Sequence, residues 1–242
     1  MKVRWWEIPA SPRRQACMWR RFLADIRGAT AVEFAIIASL LLMLTFGVLE
    51  FGLAWYDYNM GAAAAQRAVR YAVQSDPVAK FLNPFGGYNG VLDGGFAGGQ
   101  NLTLANLPEF EVDCTGSGSG TGVTASCTCS GTCPSGATLS GGYTVTTADN
   151  TAFQNILTVV QTVYLTAQAS NLEVDYKHIG LGFAGSTGVN IIPQVTVKLT
   201  GLTYNFVALG AFGYANVTMP NFQSTLLAED LSSCSPDNTT CP

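Results

Sequence analysis

Ionisable side chains are scarce in this sequence. Asp, Glu, Lys and Arg supply 12 % of the 242 residues, about half the share in ordinary soluble domains. There is one histidine, His178, so a histidine pair on a metal ion is excluded, and its place beside a strand predicts a surface or edge residue. Neither a GxSxG elbow nor a GxxxxGK[ST] phosphate loop occurs, which removes the common sequence signals of a serine hydrolase and of a P-loop nucleotide site. No internal repeat is evident. With so few converging titratable groups the chain offers little for catalysis, and the reading is that it is not an enzyme and needs no cofactor.

The charges that exist are unevenly placed. Residues 1–27 hold seven Lys/Arg against Glu7 and Asp25, whereas residues 81–242 hold only Lys177 and Lys198 against ten acidic residues. Between them, Phe34 to Leu49 carries no charge, and with Glu50 tolerated the apolar stretch runs from Ala29 to about Trp55. At about 1.5 Å per residue such a helix crosses a bilayer core of roughly 30 Å. A basic start, an apolar span and an acidic remainder follow the positive-inside rule: N-terminus in the cytoplasm, the larger part across the membrane. Trp55, Tyr56 and Tyr58 fall where an aromatic belt would lie on the far side. The span accounts for the basic stretch, so no nucleic-acid partner is expected.

The carboxylate of Glu33 near the start of the apolar run is costly at membrane depth, and such groups usually signal function. Either it pairs with a cation or it sits at headgroup level. Glu50 is read as interfacial, with burial against a partner helix as the other reading. The alanine-rich continuation Ala62–Val73 extends the helix until Asp76-Pro77 stops it. Its small residues suit packing against neighbouring helices or its own domain, or an ordinary helix surface. Within the apolar run, Ala35, Ser39 and Gly47 permit close helix approach.

Residues 83–148 are turn-rich, with paired glycines throughout and short strands expected at Phe110–Cys114 and Tyr143–Thr147. Six cysteines, Cys114, Cys127, Cys129, Cys133, Cys234 and Cys241, lie in the part placed outside, and Cys17 alone lies in the basic leader. An even number in an oxidising compartment favours disulfides, whose pairing is not readable from spacing. Cys127-Thr128-Cys129 with Cys133 lacks the doubled CxxC of structural zinc, so no metal is expected. Gly180–Gly185 has the letters of a dinucleotide loop without the βαβ context such a loop requires.

Asn150–Ser170 reads as a helix, from Phe153, Ile156, Leu157, Val160, Val163 and Tyr164 at three- and four-residue spacing, capped by Asn150 or Thr151. Leu172, Val174 and Tyr176, then Val195, Val197 and Leu199, alternate with polar residues and predict antiparallel strands. Leu202–Leu209 is a further strand or a loop-back segment, and Tyr214–Met219 another strand.

Arg27-Gly28-Ala29-Thr30-Ala31-Val32-Glu33-Phe34-Ala35, the helix ending Gly47-Val48-Leu49-Glu50-Phe51-Gly52, and the continuation Ala62–Val73 with Arg67 and Arg70 resemble the TadE/TadG-like pilus assembly proteins, minor pseudopilins of tight-adherence (Flp, type IVb) pilus systems. Val195-Thr196-Val197, Tyr204–Phe212 and the acidic end near Glu229 resemble the family more loosely. The resemblance implies a prepilin peptidase cutting after Gly28, so that Ala29 becomes the new N-terminus and Glu33 the fifth mature residue, pairing with a free amine during assembly. It implies other pilins, the inner-membrane assembly machinery and membrane lipid as partners. The resulting expectation is an α+β, pilin-like protein. Residues 1–28 form a cytoplasmic leader and 29–75 a transmembrane helix with an extramembrane extension. Residues 76–242 form a periplasmic domain with an antiparallel sheet, a packing helix and a disulfide-rich insertion at about 83–148. A tethered adhesin, acting through that insertion, is the alternative.

Overall fold

The structure, a computed structural model, describes residues 26–82, 100–133, 144–183, 191–213, 216–228 and 231. Residues 1–25 of the leader, Cys17 among them, and Tyr143, Cys234 and Cys241 lie outside these residues. The chain divides into two compact units, one of residues 1–52 with 207–214 and one of residues 53–206 with 215–242.

Helix α1, Ile26–Ala72, is continuous over 47 residues, close to the expected extent. Its last third contributes to the core of the second unit. Gly61, Ala64, Ala65, Ala68, Val69 and Ala72 are buried while Gln66, Arg67 and Arg70 are exposed. Buried positions three and four apart form one stripe, so the small residues serve packing within this unit. Gly61 is required there: a Cβ at this position would lie 2.6 Å from the Phe222 ring.

The sheet of this unit has five strands: β1 (Phe110–Ser117), β2 (Thr124–Gly131), β3 (Leu172–Lys177), β4 (Gln194–Leu199) and β7 (Phe222–Leu227), in the order β2-β1-β3-β4-β7. Every adjacent pair is antiparallel. Two short strands, β5 (Thr203–Asn205) and β6 (Asn216–Thr218), form a separate ribbon. Val112 and Cys114 of β1, Leu172, Val174 and Tyr176 of β3, and Val195, Val197 and Leu199 of β4 face one way and are buried. They share a core with the α1 stripe and with Phe153, Ile156, Leu157, Val160 and Val163 of helix α2, Asn150–Val163.

Several elements differ from the sequence reading. Residues 110–131, expected within a loop-dominated insertion, supply two strands of the sheet, and β1 lies inside it. Residues 144–147 form a turn, stapled by Thr144 and Thr147, rather than a strand. Helix α2 stops at Val163, not Ser170. Leu165 points outward at 83 % exposure, and the Gln161 side chain donates to the Ala167 carbonyl at 2.9 Å, folding the chain back toward β3. The α2 cap is Asp149, whose carboxylate accepts from the Thr151 and Ala152 amides at 2.7 and 3.0 Å. Asn150 instead accepts from the Ala125 amide at 2.8 Å, tying the helix to β2.

Two disulfides are present among the described residues, Cys114–Cys127 and Cys129–Cys133. The first joins directly opposed residues of β1 and β2, and the second closes a short loop after β2. His178 is fully buried, not at a surface or edge. It follows the last residue of β3, its amide donates to the Phe110 carbonyl at 2.9 Å, and its ring stacks on Phe110 with centroids 5.6 Å apart. Burial pushes its pKa below the ordinary value, so it is neutral at pH 7.

A buried tyrosine helps to fasten the segment after α1. The buried Tyr176 hydroxyl accepts from the Val78 amide at 2.9 Å, a bond between residues 98 apart in sequence. A Tyr176→Phe substitution strands a buried amide, which costs about 1–3 kcal/mol. We expect a loss of that size in chemical unfolding of the protein in detergent, with little change in its far-ultraviolet circular dichroism.

Candidate functional site

The first unit holds the residues singled out for processing and assembly. Gly28, Ala29 and Glu33 lie in the early turns of α1, all exposed. Ala35 and Ser39 are one turn apart on an exposed surface. The Ser39 hydroxyl donates to the Ile36 carbonyl at 2.8 Å, and that of Thr45 to the Leu42 carbonyl at 2.9 Å. Both hydroxyls are thereby satisfied within the helix, as an apolar surrounding demands. Val32, Phe34, Ile36, Ile37, Leu40, Leu41, Leu42, Leu44, Val48 and Leu49 all expose more than half of their surface. This helix is long and apolar enough to cross a membrane, and none of its most apolar window is buried.

Glu50 breaks this pattern. Only 6 % of it is exposed, and what buries it is a segment of its own chain. One carboxylate oxygen accepts from the amides of Val207 and Ala208 at 2.6 and 2.5 Å, and the other from the Leu209 amide at 2.8 Å. These three consecutive donors belong to the same compact unit. A short 3-10 turn, Leu209–Phe212, follows, and its end is closed by the Gly213 amide on the Gly210 carbonyl at 3.1 Å. Leu209 lies against a shallow apolar groove formed by Leu40, Met43, Leu44 and Gly47. Gly47 is thus beside a segment of its own chain. The sequence flagged Tyr204–Phe212 as apolar and Glu50 as out of place, but did not connect them. The missing signal was the carboxylate's need for donors, which consecutive backbone amides meet without leaving any trace in side-chain pattern.

The second unit has a polar sheet face. Across it run Thr128 of β2, Asp113 of β1, Asp175 of β3, Thr196 of β4 and Thr225 of β7, register neighbours in turn. Carboxylate oxygens of Glu111, Asp113 and Asp175 come within 4.8 Å of one another, a grouping that could hold a cation. The Lys198 ammonium already pairs with one member, 2.5 Å from Asp175, and lies 3.3 Å from Glu173, so Asp175 is engaged in an ion pair. Burial, helped by Glu173 and Asp113, pushes the Asp175 carboxyl up to about 7 against the pull of Lys198. Among the described residues no nucleophile–base pair accompanies it. A polar groove of about 480 Å³, whose lining includes Asp57, Tyr164 and Asn171, likewise brings together no catalytic set.

The Asp175 shift has a consequence for stability. The folded carboxyl gives up its proton near 7 and the unfolded one near 4. Between these values the folded state holds the extra proton, and stability is lost as pH rises through the window. His178, with its lowered value, acts in the opposite sense below its ordinary range, so the parent's own profile mixes the two. The difference between Asp175→Asn and the parent isolates the carboxyl. We expect the variant to gain in melting temperature relative to the parent as pH goes from about 5 to about 8.

No curated protein and no solved structure matches the chain. A family model described as TadE-like protein matches residues 28–70. The match begins at Gly28, takes in Glu33 and Glu50, and ends on the alanine-rich turns that enter the core. Helix α1, from Gly28 to Arg70, is therefore a TadE-like segment, which points to a Tad pilus-associated protein.

Proposed function

We propose that this chain is a minor pilin or pilus assembly protein of a type IVb (Flp/Tad) pilus, acting by assembly and not by catalysis. Residues 1–28 are its cytoplasmic leader, 29–75 its inner-membrane span with an extension, and 76–242 its periplasmic domain. The observation that carries the reading is α1 itself: a helix with lipid-suited residues on every side, an exposed Glu33 five residues past Gly28, and the TadE-like match over the same stretch. A carboxylate in lipid is expensive alone, and an ammonium group offsets the cost. A prepilin peptidase acting between Gly28 and Ala29 creates such a group at the right end of the helix. A carboxylate near a helix N-terminus also complements the macrodipole. Ala35 and Ser39 offer a surface on which a neighbouring pilin helix can approach closely. The disulfides of the second unit agree with an oxidising compartment. The partners that follow are other pilins and pseudopilins, the inner-membrane assembly machinery, the peptidase and lipid.

The N-terminal sequence of the protein purified from host membranes tests processing. We expect it to start at Ala29; a start at Met1 removes the amine-pairing role of Glu33 and shifts weight to a tethered surface module. Replacing Glu33 with Ala should leave membrane insertion intact and lower the yield of assembled pili severalfold, as read by shearing and immunoblotting. Normal assembly by that variant would rule the pairing role out.

A further inference from the structure

Glu50 and the turn it holds point to a second membrane contact, in addition to the span of α1. Counted from Ala29, Gly47 comes after about 27 Å of helix, still within a hydrocarbon core of roughly 30 Å. Leu209 lies against Gly47, Met43 and Leu44. The segment carrying Leu209 is therefore at membrane depth wherever this part of α1 is, because both belong to one compact unit.

Irregular backbone at that depth is tolerated only when its polar groups are satisfied by protein. Here they are. Glu50 takes the amides of Val207, Ala208 and Leu209, and the turn at Gly213 closes on Gly210 and Leu209. The cost of an isolated carboxylate and the cost of three unmade amide bonds cancel against each other in one contact. What the segment then shows to its surroundings is apolar: Val207 is 85 % exposed. Its flank is continuous with the outward-facing Leu40 and Leu44 of the span.

We propose that Val207–Gly213 enters the half of the bilayer that α1 reaches last, with Val207 against lipid acyl chains and Leu209 against α1, and that Glu50 is the positioning residue that permits it. The occupant is lipid because the patch is continuous with the lipid-suited face of α1 and lies at its depth. This rests on the membrane-anchored reading above, and the test separates the two.

The full chain, carrying a photo-reactive benzoylphenylalanine at position 207 or at position 41, is reconstituted in phosphatidylethanolamine–phosphatidylglycerol vesicles, irradiated and analysed by mass spectrometry. Position 41 reports insertion of α1. Lipid adducts at both positions support the proposal. Lipid adducts at 41 with none at 207, or adducts at 207 only to a second copy of the chain, overturn it and leave the anchor standing. Lipid adducts at neither position overturn the anchor and this inference with it. Glu50→Ala should reduce the adducts at 207 at least fivefold without changing those at 41. Glu50→Gln, which keeps one accepting oxygen and the side-chain volume, should reduce them less. An unchanged yield at 207 in both variants would remove Glu50 from the role.

Discussion

One helix has to satisfy two different surroundings, and most of the molecule follows from that. Over its first half α1 has apolar side chains on every side, which suits hydrocarbon and would be a liability in water. Over its last third it has one stripe of glycine and alanine, which suits close packing against a sheet. The change is made without a break, by substituting small residues for large ones and admitting Gln66, Arg67 and Arg70 on the open side. The small stripe then dictates its partner. Ala64, Ala65 and Ala68 bury little area by themselves, so the rings of Phe153, Tyr176 and Phe222 come from α2 and the sheet to fill the space. Stability is supplied by the large residues of the other elements, while the helix supplies room for them.

Three polar groups in awkward places are each met by a specific partner. Glu50 is answered by three amides, the Val78 amide by the Tyr176 hydroxyl, and the Asp175 carboxylate by the Lys198 ammonium. The third answer is the least complete. Asp113 and Asp175 are directly opposed on neighbouring strands, an arrangement that is unfavourable for like charges, and one ammonium serves two carboxylates, Asp175 and Glu173. Burial above all, helped by that imbalance, is why Asp175 holds its proton to higher pH than an ordinary carboxyl.

The parts that were legible in the sequence are those where one periodicity dominates. The span of α1, the core face of α2 and the strict alternation in β3 and β4 all declare themselves, because each buries a continuous face. Strands β2 and β7 do not. Thr124–Gly131 is built of Thr, Ser, Ala, Cys and Gly, and it holds its place through register with β1 and the Cys114–Cys127 bond rather than through apolar alternation. His178 was misread because one residue type in isolation says little about burial; its stacking on Phe110 depends on a strand pairing that spacing does not show. In α1, Gly28 and Glu33 could be singled out from local pattern alone. The Glu50 contact spans 157 residues and has backbone on one side of it, so nothing in the side-chain pattern could have announced it.

The contact between Gly61 and Phe222 also sets an order of events in time. Helix α1 leaves the ribosome before the strand that covers Gly61. Pairings such as β4 with β7 and β1 with β3 are likewise far apart in the chain, and a topology of this kind closes slowly. Until then the alanine stripe and the inner face of the sheet lack their final cover, and unpaired strands and exposed apolar faces invite wrong associations. Holding the nascent domain apart from its neighbours until residue 222 arrives is thus a requirement that the architecture places on the cell that makes it.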